Sequence, residues 1–107
     1  MSNTHLTLTD FFALHDKLAA NELILDVRRP EEFAEAHVPH ALNIPLDVLG
    51  QRSEELKKFS TIYIHCKRGG RAKSAFETLN QLGFTNLVCV HDAGMDLWIE
   101  NGYPISK

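Results

Sequence analysis

Three short, almost wholly apolar runs constrain this chain more than any other feature: Leu23-Ile24-Leu25-Asp26-Val27, Ile62-Tyr63-Ile64 and Asn86-Leu87-Val88-Cys89-Val90. Each is too short for a core helix and lacks the alternation of a strand with one wet face, so each reads as a strand covered on both sides. Segments of helical periodicity separate them. Ala72, Ala75, Phe76, Leu79 and Leu82 describe one face of an amphipathic helix, with Gly83 as its C′ residue. Phe11, Leu14 and Leu18 recur at three- and four-residue spacing behind a cap at Thr9 or Asp10, and Asn21 is a plausible stop. Pro30, Glu31 and Glu32 open a short helix, because proline suits the first turn and carboxylates suit its positive end; Phe33 is expected to face inward. Alternation of strands and helices predicts an α/β fold, a mostly parallel sheet with helices on both faces.

The remaining stretches fit the same plan. Pro39 and Pro45 exclude a long element and leave a short strand near Ala41–Asn43. A helix or broken helix between Asp47 and Lys57 would turn Val48, Leu49 and Leu56 to the core, and Leu97, Trp98 and Ile99 sit on a last helix stopped by Gly102 and Pro104. Phe11, Phe33, Phe76 and Trp98 are core residues by default. With 107 residues and 44% hydrophobic content, the expectation is a single domain over residues 1–107, without repeat or linker.

The chemistry concentrates at the end of the second run. Cys66 leaves the strand into Lys67-Arg68-Gly69-Gly70-Arg71-Ala72, where a helical pattern begins. Two glycines let successive backbone N–H groups turn toward one point, and the helix start adds unpaired donors and the positive end of its dipole. Such a nest cradles an anion, and the cations Lys67, Arg68 and Arg71 favour the thiolate form of Cys66. The net charge is −3, yet four of the 11 Lys and Arg residues lie between Lys67 and Lys73, so the positive field is local and suits a small anion better than nucleic acid.

Asp26, a carboxylate at a strand end, reads as a partner for Arg28, Arg29 or a neighbouring loop. Cys89, between Val88 and Val90, reads as core, and His65 as the end of its strand facing a neighbouring element. His37, His40, His65, Cys89 and His91 lack the close spacing of metal ligands, so neither metal nor cofactor is expected. Two cysteines without a CxxC pair point to a reducing compartment. No basic leader and no apolar stretch of about 18 residues is present, so the expected location is the cytoplasm, away from membranes.

These residues, in this order, resemble a single-domain rhodanese, the thiosulfate sulfurtransferase-like family. The resemblance runs from Leu6 to Ile105 through Leu25-Asp26-Val27-Arg28 with Glu32-Phe33, His37-Val38-Pro39, Ala41-Leu42-Asn43-Ile44-Pro45, the Cys66–Arg71 loop, Leu82-Gly83-Phe84, and Gly94-Met95 with Trp98, Gly102, Tyr103 and Pro104. It implies a central, mostly parallel, five-stranded sheet and a catalytic Cys66 at the first position of a six-residue loop. It implies that Cys66 takes the sulfane sulfur of a small anionic donor such as thiosulfate as a persulfide and passes it to cyanide, a thiol or a protein acceptor. Lys67, Arg68 and Arg71 would bind the donor, the N–H groups from Gly69 and Gly70 to Ala72 would hold the persulfide, and Asp26 and Arg28 would support the loop from behind.

The chain departs from that family's pattern where Ala36, His40 and Ala93 replace the usual glycines. At His40 a required positive φ would be strained by a side chain, so a remodelled turn is expected there. Two other functions fit parts of the pattern. A cysteine-dependent phosphatase or arsenate reductase resembles C-x5-R, but here only four residues separate Cys66 from Arg71. A non-enzymatic sulfur-carrier or interaction module of the same fold often lacks the cysteine that Cys66 supplies.

Overall fold

β-branched and leucine-rich runs form strands because their side chains pack on both faces of a pleated sheet, and the computed structural model, which describes residues 3–107, places them side by side. β2 (Glu22–Asp26) lies between β3 (Leu42–Asn43) and β4 (Thr61–His65), and β4 lies between β2 and β5 (Leu87–Val90). The strands form one parallel sheet in the order β1-β5-β4-β2-β3.

The edge strand β1 (Thr4–Leu6) was not expected. It is three residues long and mostly exposed, and pairing with β5 rather than an apolar pattern defines it.

Period-two alternation sorts the strand residues onto two faces. Leu23, Leu25, Ile62, Ile64, Leu87 and Cys89 pack with Ala72, Ala75 and Leu79 of α3 (Gly70–Gln81). Ile24 and Val90 pack with Leu8 and Phe11 of α1 (Leu8–Leu14) and with Met95 and Trp98 of α4 (Met95–Glu100). Helices therefore cover both faces, as expected. Each fully buried Leu, Ile or Phe contributes about 1.5–3 kcal/mol, and Phe11, Leu25, Ile62, Ile64, Leu79 and Trp98 are all fully buried.

Helix ends follow capping chemistry. Thr7, ahead of the expected Thr9 or Asp10, caps α1: its hydroxyl accepts from the Asp10 N–H at 3.1 Å. The Leu8 N–H donates to Asp92 Oδ1, and the helix ends at Leu14, well before Asn21. Gly83 ends α3 at φ +94°, where its N–H donates to the Asn80 carbonyl and the Phe84 N–H donates to the Leu79 carbonyl, the paired bonds of a Schellman motif.

Other expectations shift with local context. Two 3₁₀ turns, Leu46–Val48 and Ser53–Leu56, form the broken helix expected between Asp47 and Lys57, with Leu49 and Leu56 buried and Val48 half-buried. Leu82 lies past the last turn of α3 and is 52% exposed. Phe76 is half-buried, packed against the core on the α3 face of the sheet and beside His5. Phe33 is also half-buried, on a helix, α2 (Pro30–Glu35), with no buried residue, and its ring stacks on His37 at 3.7 Å. His40 keeps φ at +70°. Histidine is among the residues that enter the left-handed region more readily.

The chain leaves β2 toward β3 on one side and β4 toward β5 on the other. Parallel α/β sheets build their sites at the carboxyl ends of strands where connections diverge in this way, and that point lies between Asp26 and His65.

Candidate functional site

Cys66 follows β4 directly, at this divergence. Its side chain is buried, with 1% of the residue exposed, and its Sγ accepts hydrogen bonds from the Gly69 N–H at 3.0 Å and the Ala72 N–H at 3.2 Å. Ala72 is the third residue of α3, and the N-cap position, Gly69, has no side chain to satisfy that donor. The sulfur thus stands where the side-chain oxygen of a capping serine would stand, on the axis of the helix's positive end.

Only one of the loop's glycines is sterically required. Gly69 has φ +115°, and a Cβ there would lie 2.1 Å from the His91 carbonyl oxygen, whereas a Cβ on Gly70 would meet open space. A third glycine acts from behind. Gly94 precedes α4, and a Cβ on it would lie 2.2 Å from the Cys66 carbonyl oxygen. Its small size lets the Met95 N–H donate to the Cys66 carbonyl at 2.9 Å and the Asp96 N–H to the Lys67 carbonyl at 3.1 Å. Sequence reasoning gave Gly94 no part in the site, because nothing near it in the chain shows that the loop packs there.

Two of the loop cations are hydrogen-bonded to carboxylates. Arg71 turns to Glu32 of α2, donating at 2.6 and 3.1 Å, and Arg68 donates to Asp96 at 2.8 Å. Lys67 is exposed and makes no ion pair among the described residues. Glu32 also accepts from the Arg29 N–H at 2.9 Å and so fastens the start of α2 to the start of α3.

The hydrogen bond from Arg71 pulls the Glu32 carboxyl down from its ordinary 4.5 to about 2. A depressed carboxyl contributes stability that is complete above about pH 4.5 and lost as pH falls toward 2. Since the two side chains are 25% and 32% exposed, solvent screening reduces the contribution to about 1–2 kcal/mol. Glu32→Gln is expected to lower stability by about that amount at pH 7, and urea unfolding at pH 7 and pH 3 should show the gap closing in acid.

Behind the loop lies a buried charged cluster. The Arg28 guanidinium donates to both Asp26 oxygens, at 2.7 Å through Nη2 and 3.0 Å through Nε, and to the Ala36 carbonyl at 2.7 Å. Arg28 is thus the partner of Asp26, and removing either member would leave a buried charge uncompensated at about 3–5 kcal/mol. His65, paired in register with Asp26, packs its ring 5.7 Å from Phe11. Its Nε2 lies 4.0 Å from Asp26 Oδ2 and has no hydrogen-bond partner among the described residues. Burial pushes its pKa down against the pull of Asp26, which favours the neutral ring.

Cys89 is fully buried in the core on β5, and burial pushes its thiol up to about 12, so it stays protonated at neutral pH. No group of three or more His, Cys, Asp or Glu side chains among the described residues is placed to hold a metal ion. No helix of the described chain is long and apolar enough to cross a membrane. An open cleft of about 850 Å³ adjoins the loop, between α2, the Leu46–Val48 turn, Lys67 and Arg71.

The family described as rhodanese-like domain matches residues 12–101. The chloroplastic thiosulfate sulfurtransferase 16 of Arabidopsis thaliana is 34% identical over 102 residues, covering 84% of each chain. A sulfurtransferase of Allochromatium vinosum is 32% identical over 98 residues, covering 90% of this chain and 91% of its own. The crystal structure of a rhodanese-related protein from Thermoplasma volcanium superposes with a TM-score of 0.82 at 30% identity, over 96% of this chain and 97% of that one. With a match that takes in β2 through α4 and a fold shared nearly end to end, this chain belongs to the rhodanese-like domain family.

Proposed function

We propose that the protein is a sulfurtransferase in which Cys66 carries the sulfur. The observation that carries this reading is the pair of N–H donors from Gly69 and Ala72 aimed at a single sulfur at the start of a 12-residue helix. They stabilise negative charge on Sγ before reaction and on the persulfide after it. The thiolate attacks the outer sulfur of a donor such as thiosulfate; the donor's S–S bond breaks, and sulfite leaves with the electron pair. An acceptor thiol or cyanide then attacks the outer sulfur, and the pair from the second S–S cleavage returns to Sγ.

The loop favours sulfur over a phosphoryl group. Its arginine follows after four residues and donates to Glu32, while the cysteine sulfur accepts from two backbone N–H groups. The test is intact mass after incubation with thiosulfate: the protein should gain one sulfur atom, lose it to cyanide, and gain none as Cys66→Ser. A folded protein that takes sulfur from no sulfane donor would be a binding module instead.

Because Arg68 and Arg71 are tied to carboxylates, Lys67 is left as the loop's main attraction for the donor. Lys67→Ala is expected to raise the KM for thiosulfate about tenfold, the loss of about 1.4 kcal/mol. Arg71→Ala should reduce turnover less than that but more than Lys73→Ala, which lies past the loop. Steady-state kinetics giving the same effect for Lys67→Ala and Lys73→Ala would contradict this assignment.

A further inference from the structure

We infer that Asp92 is a positioning residue for Cys66: it pins the segment against which the Cys66 loop rests to the start of α1. The inference rests on sulfur transfer through Cys66 and adds a residue that shapes the site from outside it. Two glycines mark where that segment, His91 to Gly94, meets the loop. A Cβ on Gly69 would lie 2.1 Å from the His91 carbonyl oxygen, and a Cβ on Gly94 would lie 2.2 Å from the Cys66 carbonyl oxygen. The segment therefore touches the loop at both of its own ends.

Those two contacts bear on the sulfur. The Gly69 N–H is one of the two donors to Sγ, at 3.0 Å, and the Cys66 carbonyl accepts from the Met95 N–H that follows Gly94, at 2.9 Å. A shift of the segment moves the cysteine, a donor to it, or both.

The segment itself belongs to no strand or helix, since β5 ends at Val90 and α4 begins at Met95. Asp92 ties it down from a distance. Its Oδ1 accepts from the Leu8 N–H at 3.0 Å, across 84 residues of sequence. Leu8 is the first residue of α1, so its N–H has no acceptor within the helix, and the Thr7 hydroxyl is already engaged by the Asp10 N–H. A carboxylate suits the place both as acceptor and as negative charge at the helix's positive end. Leu8 is buried in the same cluster as Met95 and Trp98 of α4, so the point of attachment is fixed.

The experiment compares steady-state kinetics with thiosulfate and cyanide for the full-length parent, Asp92→Ala, Asp92→Asn and Thr7→Ala. Asp92 is exposed, so its truncation leaves no core cavity, and circular dichroism with urea unfolding checks that each variant is folded under assay conditions. Asp92→Ala should lower kcat about tenfold and change the KM for thiosulfate less than about twofold, because Lys67 still attracts the donor while the sulfur is misplaced. Asp92→Asn should return kcat to within about twofold of the parent, since an asparagine oxygen also accepts at a helix start. Thr7→Ala weakens the same end of α1 without touching the segment and should leave kcat unchanged. An Asp92→Ala variant as fast as the parent, or an Asp92→Asn variant as slow as Asp92→Ala, would overturn the inference. So would an equal loss in Thr7→Ala, which would assign Asp92 to the stability of α1 alone. A parent protein that takes sulfur from no sulfane donor would instead sink the sulfurtransfer reading.

Discussion

Cys66→Ser is expected to abolish sulfur loading and to lower thiosulfate turnover by about three orders of magnitude or more, while leaving the fold nearly as stable as the parent. The two halves of this expectation have different causes. A serine hydroxyl is a poor nucleophile toward sulfane sulfur and cannot form a persulfide, so the chemical step disappears. It can still accept from the N–H groups of Gly69 and Ala72, which the cysteine sulfur now satisfies at 3.0 and 3.2 Å, because serine oxygens serve well as acceptors at a helix start. Cys66→Ala separates the roles. It removes the acceptor as well as the nucleophile, leaving two N–H donors beside a buried site, and should cost about 1–3 kcal/mol more than the serine variant. Intact mass after thiosulfate treatment and urea unfolding of both variants check the pair of outcomes. A serine variant that retains turnover would remove Cys66 from the mechanism. A serine variant as unstable as alanine would show that the sulfur's contacts are not capping contacts.

How far the sequence disclosed this arrangement depended on whether the determining contacts were local. β2, β4, β5 and α3 were legible because a run of apolar residues or a repeat of three and four fixes them within one stretch, and the position of Cys66 at the end of β4 follows from the same pattern. Thr4–Leu6 carries no such pattern, and only the backbone of β5 makes it a strand. The site divides along the same line. Glycines and cations beside a cysteine announce an anion nest, but the destinations of the cations are set by carboxylates far away in the chain: Glu32 lies 39 residues before Arg71, and Asp96 lies 28 residues after Arg68. Counting charges along Lys67 to Lys73 therefore does not reveal that two of the cations are paired with carboxylates. Arg28 shows the opposite case, since its partner Asp26 is two residues away and the pairing could be expected from the sequence.

Gly94→Ala is expected to cost about 2–4 kcal/mol and to slow sulfur transfer about a hundredfold, although Gly94 touches neither donor nor sulfur. The effect is one of space. Gly94 has φ −161°, extended backbone that alanine adopts without strain, so conformation is not the obstacle. A Cβ at this position would instead lie 2.2 Å from the Cys66 carbonyl oxygen and 2.6 Å from the Lys67 carbonyl carbon and oxygen. These are backbone atoms that no rotamer change can move aside, so α4 and the loop must separate. Separation lengthens the bonds from the Met95 and Asp96 N–H groups to the Cys66 and Lys67 carbonyls, now 2.9 and 3.1 Å, and frees the loop to carry Sγ off the axis of α3. Misplacement of a reacting group by about an ångström is enough to cost two orders of magnitude in rate. Gly70→Ala is the control: it adds the same methyl group to the same loop but into open space at the first turn of α3, where alanine is the better helix former, and it should leave stability unchanged or slightly raised. Urea unfolding and single-turnover loading with thiosulfate decide between the two sites. If Gly94→Ala and Gly70→Ala behave alike, the loop's geometry does not depend on the close approach of α4.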